Sequence, residues 1–151
     1  MTLNVEGLVA AMESHASSSG FFERVNGHEP NNPPGYGLTA AVWANDIRPV
    51  LSSGLASTSA RVTFMVRIYS LVNGQPQDDL DPQVVKAVDA LMAAYTGDFE
   101  LGGLVRSVDL LGSSGEPLSA QAGWLPFADG LYRVVTITVP LIVNDLWTQA
   151  A

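Results

Sequence analysis

Residues 60–72, ARVTFMVRIYSLV, constrain the fold more than any other stretch. Val62, Phe64, Val66 and Ile68 alternate with Arg61, Thr63, Met65, Arg67 and Tyr69. Successive side chains of a strand point to opposite faces, so this alternation predicts a strand with one fully buried face. Its β-branched and aromatic content and its length are those of a central strand. The apolar segments on either side of it are expected to cover that face.

Around this strand the chain reads as helix, two strands, central strand, helix, and strands again. Residues 2–19 carry Val5, Leu8, Val9, Met12 and Ala16 at helical spacing, with Thr2 or Asn4 as cap and Gly20 as stop. Strands are predicted at 21–25 and 38–44, separated by the Pro- and Gly-rich loop 26–37. Residues 45–59 read as irregular chain anchored by Ile47, Val50, Leu51 and Leu55. An Asn-Gly turn opens at 73–79, and a second helix is predicted over 81–95. Asp81 is its expected N-cap, Pro82 its first residue, and Val84, Val85, Val88, Leu91, Met92 and Tyr95 its apolar stripe. Further strands are predicted at 104–111, 124–127 and 131–139, with a loop at 112–123 and a hairpin turn at Asp129-Gly130. Pro126 and Pro140 belong at strand edges or ends, and 140–147 continues as extended chain or a last strand. The expected fold is α+β: one domain over 1–151, with a mainly antiparallel four- to five-stranded sheet and two helices packed on one face.

Composition narrows the function. Some 47% of the residues are hydrophobic and only 15% are charged. Such a surface is expected to be covered in part by copies of the chain or by a partner. No run is apolar for the roughly 18 residues a membrane helix needs, and the acidic N-terminus (Glu6, Glu13) is not that of a secretory signal. The formal charge is −8, with Lys86 the single lysine. That argues against a surface gripping nucleic-acid phosphates. The absence of cysteine excludes disulfides and thiolate metal sites.

No constellation for catalysis stands out: no phosphate-cradling glycine loop, no zinc-binding helix motif and no nucleophile elbow. His15 reads as a helix-flank histidine and the His28-Glu29 pair as solvated loop residues. The acidic run Asp78, Asp79 and Asp81 reads as helix-start chemistry, since it lacks the glycine and distal glutamate of a calcium loop. Neither enzymatic activity nor a cofactor or metal is expected. Arg61 and Arg67, on the far face of the central strand, are expected to form ion pairs within the sheet, for example with Asp109 or Glu100. What remains is a set of apolar and aromatic residues on irregular segments: Tyr36, Leu51, Leu55, Trp124, Leu125 and Phe127. Such side chains either anchor an interface or fold back onto their own core.

The segments NGHEPNNPPGYGLTAAVWANDIRPV, SGLASTSARVTFMVRIYS, VDALMAAYTGDFELGG, PLSAQAGWLPF and LYRVVTITVPLIVNDLW together resemble the tail terminator proteins of long-tailed, siphovirus-like phages of actinobacteria. The likeness spans roughly residues 20 to 148 and consists of whole segments, so no active-site residues carry over. It implies an α+β subunit that assembles into a hexameric ring on the head-proximal end of the tail tube. Such a ring stops tube polymerisation and docks to the head connector. The implied partners are further copies of the chain, the major tail tube protein and a connector or stopper protein, with genomic DNA passing through the ring without sequence-specific binding. The implied location is the virion tail, reached from the host cytoplasm, with no membrane. Segments 52–59 and 112–127 are the expected contact regions. A head–tail stopper or other tail-completion protein is the nearest alternative; a small-molecule-binding domain or enzyme with loop 26–37 as its lid is a more distant one.

Overall fold

A computed structural model describes residues 3–30, 34, 37–50, 57–72 and 77–148, with side chains of the last segment from residue 81 onward. The α+β architecture is as expected. Helix α1 runs Val5–Ser19, strand β1 Arg24–Asn26, β2 Leu38–Pro49, β3 Ser57–Leu71, α2 Gln77–Gly97, β4 Ser107–Val108, β5 Ser119–Phe127 and β6 Gly130–Thr148. The strands form one six-stranded sheet in the order β1-β2-β3-β6-β4, with β5 also paired to β6. All pairings are antiparallel except β1 with β2. The sheet exceeds the expected four to five strands because β1 and β4 add three and two residues at its margins.

The central strand behaves as its alternation dictates. Val62, Phe64, Val66 and Ile68 are fully buried in one core with both helices. Helix α1 begins where the Asn4 side chain accepts a hydrogen bond from the Gly7 amide at 3.1 Å, and it ends at Gly20 in the left-handed region. It buries Leu8, Met12 and Ala16, one residue per turn along one face. Helix α2 buries Val84, Ala87, Val88, Leu91 and Tyr95. Val85, expected in that stripe, is instead exposed.

Five features differ from the sequence reading. Helix α2 starts at Gln77, so Asp81 is not its cap and Pro82 lies inside it. Pro82 forfeits one backbone hydrogen bond close to the helix start, where the loss is small compared with the burial of the stripe that follows. The strand expected at 104–111 shrinks to Ser107–Val108, because the Asp109 side chain captures the next amides in a turn. The loop expected at 112–123 gives way to β5 at Ser119, since β6 offers it a partner from Thr138 onward. Residues 45–49 are not irregular but continue β2 past a bulge between Ala44 and Asp46. Finally, Pro140 does not end β6: it sits where β6 passes from its last pair with β5, at Thr138, to its first with β4, at Leu141.

The second face of the sheet carries a smaller cluster of Ala41, Tyr69, Leu71, Tyr132 and Val134, bordered by Trp43, Leu125 and Phe127. This face is not bare. Thr63 and Tyr69 are about 1% exposed and Arg61 is 8% exposed. Strand β3 is therefore covered on both sides for much of its length.

Candidate assembly interface

Strand β5 places three of the six candidate anchors, and its two faces treat them differently. Leu125 pairs with Tyr132, and Phe127 with Gly130. Both project onto the second face and are half-buried there. Phe127 meets Tyr132 and Tyr69 edge-on, with ring centroids 5.2 and 6.0 Å apart, and Tyr132 meets Tyr69 at 6.4 Å. These are favourable aromatic geometries. Burial raises the Tyr69 hydroxyl above its ordinary pKa, against the Arg67 hydrogen bond that lowers it. Leu125 and Phe127 thus fold back onto their own chain.

Trp124 does the opposite. It pairs with Arg133 and points to the helix-bearing face, where it is 50% exposed. The Arg133 guanidinium stacks over its ring at 4.5 Å. The same guanidinium donates to Asp81 Oδ1 at 3.1 Å and to the Gly123 carbonyl at 3.3 Å. Asp81, expected as a helix cap, therefore ties α2 to β6 and fixes the cation that orients the tryptophan. A large aromatic held in one place by a stacked arginine loses little entropy when a partner covers it.

Tyr36, Leu51 and Leu55 lie outside the described residues. The remaining exposed apolar side chains include one the sequence reading treated only as an anchor, Ile47, which is 48% exposed. It lies opposite Val62, so it also faces the helix side of the sheet. Only the bulge at Ala44 to Asp46 puts it there, and a register shift of that kind leaves no trace in hydrophobic periodicity.

The arginines of the second face do not pair as expected. Arg61 donates to the Ser114 carbonyl at 2.7 Å, and Gly115, with φ of 110°, leaves room for it: a Cβ there would stand 3.1 Å from Nη1. Arg67 donates to Thr136 Oγ1 at 2.9 Å, lies 5.1 Å from the Trp43 ring centroid and approaches Glu29 at 3.7 Å. Asp109 is engaged instead with its own turn. Its carboxylate accepts from the amides of Gly112, Ser113 and Ser114 and from the Ser113 hydroxyl, at 2.8 to 3.1 Å. Burial pushes its pKa up, but these donors outweigh burial and hold it below the ordinary value.

His15 has a structural partner. Its Nε2 lies 2.8 Å from Asp98 Oδ2, joining α1 to the residue just past α2, and its ring meets Tyr95 edge-on. The Gly102 amide and the His15 hydrogen bond lower the Asp98 pKa. His28 is exposed, and Glu29 serves Arg67. Among the described residues no cluster of three or more metal-ligating side chains occurs, and no helix is long and apolar enough to cross a membrane. A cleft of about 440 Å³ is lined by Pro49, Val50, Ser59, Arg106, Ser113, Ser114 and Ile142.

No family model and no curated protein matches the chain. Among solved structures, it is similar to the sheath/tube terminator of PVC, an extracellular contractile injection system, determined by cryo-EM in the extended state. The two share 12% sequence identity at a TM-score of 0.47. The match covers 100% of this chain and 60% of the other, so this chain spans less than two thirds of that protein's length.

Proposed function

We propose that this protein is a structural tail terminator. Six copies form a ring on the head-proximal end of a phage tail tube, stop its polymerisation and join it to the head connector. The observation that carries the reading is Trp124: half exposed, pinned by Arg133 and Asp81, and set on a rigid edge strand. It is an anchor presented for a partner. The resemblance of residues 20–148 to actinophage tail terminators supplies the class of partner: further copies of the chain, tube protein and connector.

The acidic balance of −8 suits a ring through which DNA passes, because a basic lumen would hold the genome by its phosphates. The reading requires no catalysis and no cofactor. Its test is Trp124→Asp, which buries a charge in any contact that Trp124 makes while leaving the fold intact. Loss of the ring with an unchanged circular dichroism spectrum supports the assignment, whereas a normal ring from this variant removes Trp124 from the interface.

A further inference from the structure

The pairing surface between copies can be read from the two borders of the sheet. On one side, β5 pairs only with β6, and its outer edge is free of any strand among the described residues. This edge is nine residues long, SAQAGWLPF, and carries no charge. Ser119, Ala120, Gln121, Ala122 and Trp124 are exposed along it. Proteins guard free edges with charge, proline or bulges. Here Pro126, near one end, is the only such guard.

The opposite border is split. β1 covers Thr39 to Ala41 of β2, and beyond Ala41 no described strand lies on that side. Ala44, Asn45, Ile47, Arg48 and Pro49 are exposed in this second half of β2. The strand directions decide what fits. β3 runs antiparallel to both β2 and β6, and β5 runs antiparallel to β6. β2 and β6 therefore run one way, and β3 and β5 the other. Laid against β2 of a second copy, β5 continues the antiparallel alternation with neither sheet turned over.

We propose that β5 of one subunit pairs antiparallel with the second half of β2 of the next, joining the sheets head to tail. The occupant of the β5 edge is thus a second copy of this chain, and the inference rests on the ring reading above. The side chains agree with the direction. Trp124 and Ile47 stand on opposite borders but on the same helix-bearing face, 50% and 48% exposed. Placing Gly123 level with Asp46 of the neighbour puts Ala122 beside Ile47 and Trp124 over Ala44. The bulge, Arg48 and Pro49 guard β2 against indiscriminate partners, which favours one register over many.

The geometry also suits a closed ring. Through the ladder, Gly123 is level with Tyr69, and Asp46 with Thr63, six positions apart on β3. At ~3.3 Å per residue the neighbour is displaced by roughly 20 Å along the strands. Across β2, β3, β6 and β5, spaced ~4.8 Å apart, the sheet advances by roughly 19 Å. The strands then incline by about 45° to the ring axis, at the upper end of the range found in closed barrels. A head-to-tail contact of this kind closes when its rotation permits.

The chain has no cysteine, so the junction is testable by crosslinking. Full-length chains carrying Ala122→Cys, Ile47→Cys or both are oxidised mildly and run on non-reducing gels, with native mass followed by light scattering. Both positions are exposed, so both variants are expected to melt like the parent. The double variant is expected to give a ladder of covalent multimers, an equal mixture of the single variants a dimer, and each single variant alone a monomer. A covalent dimer from Ala122→Cys alone would show two-fold β5–β5 pairing and overturn the proposal. A native ring whose double variant fails to crosslink would also overturn it, with the terminator reading intact. No association of the parent chain, free or on tail tubes, would overturn both.

Discussion

A single carboxylate, Asp109, holds the turn that ends β4. Its partners at Gly112, Ser113 and Ser114 bond only the ionised form well, which keeps its pKa below the ordinary 3.8. A group whose pKa is lowered on folding adds stability that is fully present above its unfolded value and lost as pH falls through its folded value. Asp109→Asn is therefore expected to cost about 2 kcal/mol at neutral pH, since it weakens charge-assisted bonds to a buried group. It should also flatten the decline of stability below pH 3.8, which urea titrations across the acid range would reveal. A variant whose acid limb is as steep as the parent's would contradict this role. Asn4→Ala should lower stability by about 1 kcal/mol, because it removes the side-chain acceptor for the Gly7 amide at the start of α1. Denaturant midpoints measure this directly.

Among the elements, β3 and the two helices were legible in the sequence, because their burial follows a simple period. Val62, Phe64, Val66 and Ile68 alternate, and Leu8, Met12 and Ala16 repeat every turn. Phe64→Ala should cost about 3–5 kcal/mol, the penalty for truncating a fully buried ring, with a matching drop in melting temperature. What escaped the sequence reading depends on partners distant along the chain. β5 extends back to Ser119 through a run of small residues with no strand propensity of its own, and only β6 holds it there. Ile47 faces the helix side because of a bulge, and Arg133 meets Trp124 and Asp81 across three elements. Of the six candidate anchors, Trp124 is presented outward, whereas Leu125 and Phe127 pack onto Tyr132 and Tyr69. Residue type alone does not separate these two fates; the side of the β5–β6 ladder on which each residue falls does.

For the molecule as a whole, the sheet has a covered centre, and among the described residues β5 and the second half of β2 lie at its borders with no further strand beside them. Much of the helix-facing side is buried in the core, so on the proposed reading contacts between copies fall to the borders, where Trp124 and Ile47 are exposed. The central claim is assembly, and its most direct test is the mass of the purified protein in solution, by light scattering, alone and with assembled tail tubes. The account predicts a ring of six subunits, either free or formed from monomers at the tube end. A monomer at every concentration that also ignores tube ends would contradict it.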